Sequence, residues 1–171
     1  MESKIQVFGD VEIIQEWKDG RQNVLDIENT ILLTGRRALC NSLANNIGDS
    51  YQFYITRMLF GDGGTEAGVP IYVNAGRNGL FGITRLSKPI IATVDSSIPT
   101  QAIFTSVIGF DEIIDVTLNE MALQMATGDL YSMTTFADLN KTSDMQITFN
   151  WRIKDRKSTR LNSSHTDISR M

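Results

Sequence analysis

The sequence predicts a mainly β protein, an antiparallel β-sandwich with one amphipathic helix at about residues 35–47. Three features lead to this fold class. Most of the chain consists of short stretches in which apolar and polar residues alternate, as they do in strands that bury one face. Turn-forming residues separate these stretches. Only one stretch has a helical period, and strands and helices do not alternate as they do in a parallel α/β fold.

The first 28 residues are predicted to form an N-terminal β arm, residues 1–28. Two short strands are expected between residues 5 and 17, with Gly9-Asp10 as the break between them. An Asp-Gly turn at 18–21 then leads to an extended stretch at 24–27.

The helix is predicted from apolar residues at helical spacing after Thr34, which is a suitable N-cap. The apolar ridge consists of Leu39, Cys40, Leu43, Ala44 and Ile47. Gly48 would end the helix. We expect the ridge to pack against a sheet and to bury Cys40 there as a small apolar side chain.

The rest of the chain up to residue 155 is predicted to be β structure. Alternation indicates strands at 53–60, 90–94, 102–108, 116–123, 130–136 and 145–153. The last strand is the most regular, because apolar residues occupy every second position from Met145 to Ile153.

Residues 61–82 contain seven glycines and one proline and are predicted to form a long irregular loop. A loop of this length in a compact domain is usually a contact surface. Because glycine allows another backbone to approach closely, the composition favours contact with a partner. We expect the loop to be poorly ordered in the isolated protomer and to become ordered on assembly.

The apolar phase of the strand at 116–125 slips by one residue between Leu118 and Met121. A slip of one residue exchanges the two faces of a strand, so it predicts a β-bulge at Asn119 and Glu120. Glu120 is then expected to be partly buried and to need a backbone N–H group or a positive partner.

Composition limits the class of protein. The chain has 171 residues, of which 42% are hydrophobic and 21% charged, as in an ordinary globular domain. Its single cysteine rules out an internal disulfide and a Cys-built zinc site. No apolar run approaches the length of a membrane helix, so no membrane partner is expected.

Residues 156–171 are predicted to be a disordered, non-native tail, which leaves 1–155 as the single domain. The tail has four basic residues, one acid and the only histidine, His165, and it has no periodicity. It resembles the translated adapter sequence that recurs at the ends of unrelated reading frames. Without it, the 16 Lys and Arg and the 20 Asp and Glu fall to 12 and 19, a net charge of −7. Such a domain is not expected to bind nucleic acid.

No motif indicates enzymatic chemistry, so no catalytic, cofactor-binding or metal-binding residues are predicted. The run Gly61–Gly64 lacks the helix and the lysine of a phosphate-binding loop. Asp62 and Glu66 supply too few oxygens for calcium. A serine nucleophile would have no histidine base within 1–155. The acids at 111–115 are interpreted as solvated charges around a turn.

Several short motifs together resemble bacteriophage tail-collar, fibre-type or decoration-type virion structural proteins. In the tail-collar and fibre-type families a strand ends in a Gly-Asp-Gly turn, a later strand has an Asn/Arg-Glu-x-x-Leu core, and a Gly-x-Leu hairpin returns the chain. The corresponding segments lie within residues 24–153 and are Ile55–Gly64, Asn78–Leu80, Gly109-Phe110, Val116–Leu123, Gly128–Tyr131 and Lys141. The strand-to-helix segment Asn29–Leu39 is also similar to small phage structural proteins.

This resemblance implies a non-enzymatic virion protein that assembles in the host bacterial cytoplasm, with itself as a homo-oligomer and with other virion proteins. A tail, baseplate or fibre adaptor is favoured over a neck or head decoration protein. The residues expected at the assembly interfaces are Gly61, Asp62, Gly63, Gly64, Tyr72, Arg77 and Phe81.

The alternative hypothesis is a carbohydrate- or ligand-binding β-sandwich module, which needs an exposed aromatic platform. The aromatic residues least committed to the core are Trp17, Tyr51, Tyr54, Tyr72 and Phe81. No cofactor is expected under either hypothesis.

Overall fold

A computed structural model describes residues 7–44, 53–94 and 96–155. Its twelve strands and one helix, in chain order, are β1 Val7–Trp17, β2 Gln22–Glu28, β3 Thr30–Ile31, α1 Leu33–Ala44, β4 Ile55–Gly61, β5 Thr65–Glu66, β6 Val69–Pro70, β7 Thr84–Pro89, β8 Ile91–Val94, β9 Gln101–Ile108, β10 Val116–Met125, β11 Leu130–Lys141 and β12 Met145–Asp155. The predictions for Ile5, Ile47, Gly48, Tyr51 and the tail 156–171 lie outside the described residues.

Ten of these strands form two antiparallel sheets that pack together. Sheet I has the order β2-β1-β12-β9-β8, and sheet II has the order β3-β11-β10-β4-β7. β5 and β6 form a separate small hairpin. The mainly β, antiparallel sandwich with a single helix that the sequence predicts is thus confirmed.

The main core lies between the two sheets. Sheet I contributes the inward residues of β12, which include Trp151 and Phe149, and sheet II contributes Phe60 and Met121, all fully buried. The rings of Phe60 and Phe149 meet with their centroids 4.6 Å apart. The strict alternation along β12 therefore places one row of apolar side chains in this core.

Sheet II is buried on its other face as well. A second cluster covers that face and consists of Leu32, Leu59, Val73, Ala122, Leu130 and Met133, with Leu80 and Phe81 packed against it. Val73, Leu80 and Phe81 come from the segment 61–82. That segment is therefore a third layer of the fold rather than a loop that projects from it.

Residues 7–28 are not an arm. β1 lies inside sheet I, paired along its full length with β12 on one side and with β2 on the other. The predicted break at Gly9-Asp10 does not occur, because Gly9 pairs with Ile153 and Asp10 with Arg152 in an unbroken register. The Asp10 carboxylate also forms an ion pair with Arg152, at 3.2 Å.

The helix presents a different face to the sheet from the one predicted. Gly35 and Ala38 are its buried residues, whereas Leu39, Cys40 and Leu43 are exposed. A Cβ atom at Gly35 would lie 2.3 Å from the carbonyl oxygen of Tyr131 in β11. The helix thus approaches the sheet through its smallest side chains, which turns the predicted apolar ridge outward.

Thr34 is not the N-cap. The carbonyl oxygen of Leu32 accepts the Arg36 N–H at 3.0 Å, so the helix begins at Leu33, two residues earlier than predicted. The Thr34 hydroxyl donates instead to the carbonyl of Leu130.

Two stretches of chain pass directly from one sheet to the other and form the lateral edges of the sandwich. β2 at the edge of sheet I leads into β3 at the edge of sheet II, and β7 at the edge of sheet II leads into β8 at the edge of sheet I. Ile90 turns this second corner and donates its N–H to the carbonyl of Thr56 at 3.3 Å. In the described ranges, no helix is long and apolar enough to cross a membrane.

Candidate functional site: a buried carboxylate that holds the glycine-rich segment

Glu120 is the most unusual residue of the sheets, because it is a fully buried acid in the middle of β10. The ladder between β10 and β11 shifts register between Leu118 and Glu120, where the sequence predicts a bulge. The bulge directs Glu120 to the same face as Ala122, toward the segment 61–82. We refer to residues 61–82 as the glycine-rich segment.

Both ends of the glycine-rich segment donate backbone hydrogen bonds to the Glu120 carboxylate. Its Oε1 atom accepts the N–H groups of Gly63 at 3.0 Å and Gly82 at 2.8 Å, and its Oε2 atom accepts that of Phe81 at 2.6 Å. Hydrogen bonds to an ionised acceptor are stronger than neutral ones, and here they take the place of a cation beside a buried acid. We call this set of contacts the Glu120 clamp.

Asn119 extends the clamp to the start of the segment. Its Oδ1 atom accepts the Gly64 N–H at 2.7 Å, and its Nδ2 atom donates to Thr65 Oγ1 and to Asp138 Oδ1, both at 2.9 Å. Thr65 Oγ1 also donates to Asp138 Oδ1, at 2.9 Å. The hydrogen bond from Asn119, and then that from Thr65, lower the pKa of Asp138. Two consecutive side chains of the bulge, Asn119 and Glu120, therefore both bind the glycine-rich segment.

The glycines of the segment make close contacts within this chain. A Cβ atom at Gly61 would lie 2.5 Å from Glu120 Oε1, and one at Gly64 would lie 2.3 Å from the Asn119 carbonyl oxygen. The sequence assigns Gly61, Gly63 and Gly64 to a partner interface, whereas the structure uses them for packing against β10. These contacts hold the segment against its own chain, and its ordering on assembly stays a prediction.

Asp62 and Arg77 also make contacts within the chain. Arg85 donates to Asp62 through Nε at 2.5 Å. Arg77 lies 3.5 Å above the centre of the Phe81 ring and donates to the carbonyl oxygens of Gly79 and Leu80, both at 2.8 Å. Within the described ranges, no group of three or more His, Cys, Asp or Glu side chains could hold a metal ion.

Tyr72 is the one predicted interface residue that is mostly exposed, with 84% of its surface accessible. It borders a groove of about 300 Å³ that is also lined by Glu28, Thr30, Thr134 and Thr135. The hydroxyls of the three threonines already donate to backbone carbonyl oxygens, at 2.7 to 3.3 Å. The groups that the groove leaves available to a ligand are therefore the Tyr72 ring and the Glu28 carboxylate, because the threonine hydroxyls are already engaged.

The aromatic residues proposed for a platform lie in different parts of the structure. Trp17 packs against the main core under Arg21, and Phe81 belongs to the second cluster. Tyr54 is exposed beside α1, in a groove that it shares with Ala38 and Tyr131.

Sequence reasoning missed the partners of the clamp. Thr65 and Asp138 bind Asn119, and Arg85 binds Asp62. These pairs are 19 to 54 residues apart in sequence, and no local pattern marks them. It also missed β7, in which Leu86 is the only large apolar side chain between Thr84 and Pro89.

Comparisons of this chain with protein-family models, with curated proteins and with solved structures find no match.

Proposed function

We propose that this protein is a non-enzymatic structural component of a bacteriophage particle, which acts by assembly with itself and with other virion proteins. The proposal places it in the tail, baseplate or fibre adaptor in preference to the neck or the head surface. It is supported by the motifs within residues 24–153 that resemble virion proteins, and by a domain of residues 1–155 without a histidine.

The observation that carries the assembly part of the proposal is a set of exposed apolar side chains in and next to the edge strands β7 and β8. Ile83 directly precedes β7, Ile91 and Val94 lie in β8, and the three side chains are 61%, 70% and 66% exposed. Single exposed apolar residues are common, but β8, at the edge of sheet I, exposes two large ones within four residues, as interaction surfaces do. Burying each such side chain contributes about 1.5–3 kcal/mol.

The test is the native mass of the full chain and of residues 1–155 over a range of concentrations. An assembly module is expected to gain mass as the concentration rises, and the stoichiometry would narrow its place in the particle. A strict monomer at every concentration would contradict self-assembly.

The groove at Tyr72 supports a second candidate, a carbohydrate- or ligand-binding module. An exposed tyrosine beside a carboxylate is a suitable surface for stacking and hydrogen bonding with a sugar. Binding on a glycan array that Tyr72→Ala abolishes and Tyr54→Ala preserves would favour this function, because Tyr54 is similarly exposed but lies elsewhere.

A further inference from the structure

The edge strands of the two sheets differ in how far they are protected against pairing. β2 carries two exposed acids, Asp26 and Glu28. β7 carries Arg85, Lys88 and an edge proline, Pro89. β3 has only two residues and leads within two residues into α1. Charges, prolines and short length are the usual means by which edge strands avoid pairing with other chains.

β8 is short, at four residues, but it has neither of the other two protections. Its sequence, Ile91-Ala-Thr-Val94, has no charge and no proline, and all four residues are exposed. It pairs with β9 in a regular register without a bulge. In the described part of the chain no strand pairs with its other side, so a row of backbone donors and acceptors is open there.

We propose that β8 pairs antiparallel with β8 of a second copy of this chain, about a twofold axis, so that two copies of sheet I become one continuous ten-stranded sheet. This inference rests on the proposed function and names the partner and the contact. Pairing of an open edge with an added strand is a common mode of recognition, and a twofold axis uses the same surface on both copies.

Charge favours a second copy at β8 over the other edges. The chain has a net charge of −4, so two copies repel each other at long range, and a contact that adds no pair of like charges keeps this repulsion lowest. Pairing of β2 with its own copy would bring Asp26 and Glu28 toward the same residues of the partner. Pairing of β8 with itself brings no charge together.

The register of sheet I shows which side chains meet across the axis. Ile91 pairs with Thr105 and Thr93 with Ile103. Thr105 and Ile103 pair in turn with Asn150 and Arg152 of β12, so Ile91 and Thr93 lie on the outer face of sheet I. Because residues opposite each other share a face, two registers pair three residues of each β8 strand, the largest number possible. One places Ile91 opposite Thr93, and the other places Thr93 opposite its own copy.

The contact is small. Three paired residues on each copy fall short of the roughly 800 Å² per partner of a standard interface, so the isolated dimer is expected to be weak. Inside a particle, other contacts would hold neighbouring copies close together and strengthen the pairing through a high effective concentration.

The test uses the full chain and the double substitution Ile91→Lys/Thr93→Lys. In either register it sets lysines opposite lysines across the axis, and like charges opposite each other destabilise paired strands. The matched control is Gln22→Lys/Val24→Lys, which adds the same charge to two exposed, outward positions of the opposite edge strand. Thermal unfolding checks that both variants keep the fold.

Sedimentation equilibrium from micromolar to millimolar protein gives the outcome. We expect the wild type and the control to form dimers, and the β8 variant to associate about tenfold more weakly or not at all. Equal association of the β8 variant would overturn the β8 contact but leave assembly through another surface intact. A monomeric wild type would overturn both the contact and self-assembly.

Discussion

The Oε1 atom of Glu120 lies 2.8 Å from the backbone nitrogen of Gly82, and this hydrogen bond ties the end of the glycine-rich segment to the bulge of β10. The start of the segment reaches the same oxygen atom through Gly63. One buried side chain therefore closes a loop of about twenty residues at its base.

Glu120→Gln is expected to destabilise the protein by about 2–3 kcal/mol. The amide keeps one acceptor oxygen, but its NH₂ group must face either the Phe81 N–H or those of Gly63 and Gly82, which leaves buried donors unpaired. Urea unfolding measures the loss, with Glu66→Gln as a control at an exposed position. Equal stability of the two variants would contradict the clamp.

The clamp also predicts amide exchange in the free protein. The N–H groups of Gly63, Phe81 and Gly82 are expected to exchange slowly in the wild type and faster in Glu120→Gln, because each donates to the carboxylate. Rapid wild-type exchange at these three amides would favour a segment that becomes ordered only on assembly.

Gly64→Ala is expected to cost about 3 kcal/mol, because the new methyl group would overlap the backbone of Asn119 rather than a side chain that can move. Gly79→Ala is the matched control, since nothing lies within 4 Å of the position of its Cβ atom. Unfolding midpoints of the two variants measure the difference. Similar midpoints would indicate that the segment can shift away from β10.

Two buried hydroxyl groups of sheet II should respond in opposite ways to removal. Ser132 Oγ has no hydrogen-bond partner among the described residues, so Ser132→Ala is expected to leave stability unchanged or to raise it by up to about 1 kcal/mol. Thr134 Oγ1 donates to the Glu28 carbonyl at 2.8 Å, so Thr134→Val is expected to cost about 1 kcal/mol. Calorimetry of both variants tests the contrast, which a loss in both would contradict.

Glu112 makes stability depend on pH. The sequence interpretation made it a solvated charge, but its carboxylate lies 2.5 Å from Lys88 Nζ and accepts the Gly109 N–H at 2.7 Å. The hydrogen bond from Lys88, and then that from Gly109, lower the pKa of Glu112.

Because the pKa of Glu112 is lower in the folded than in the unfolded state, its contribution is present above the unfolded pKa and is lost as the pH falls through the folded pKa. We expect the wild type to exceed Glu112→Gln in unfolding free energy at pH 7, and the difference to shrink in acid below the ordinary range of a glutamate. Urea titrations of both proteins across this range measure it. A difference that stayed constant with pH would exclude this role.

The sequence predicts best where a pattern depends on one sheet face alone. β12 is evident because every second residue faces a single core, and the bulge is evident because its extra residue shifts that pattern. The buried face of α1 is not predictable in this way. The helix lies so close to the sheet that only small side chains fit between them, so Gly35 and Ala38 are buried and the larger apolar residues are not.

The candidate site shows a second limit. A run of glycines indicates that another backbone comes close, but the pattern is the same whether that backbone belongs to a partner or to the same chain. Here Gly61 and Gly64 meet Asn119 and Glu120, more than fifty residues away. Only the fold shows that the approach is internal.

The corner at Ile90 has a mechanical consequence. A pull on β8 is carried as tension along the chain through Ile90 into β7, which lies antiparallel beside β4 in the other sheet. The hydrogen bonds between β7 and β4 run across the direction of this force, so they resist it together rather than one after another. β4 in turn ends at Gly61, against Glu120. A load applied at the outermost strand of sheet I is therefore passed through β7 to β4, an inner strand of sheet II.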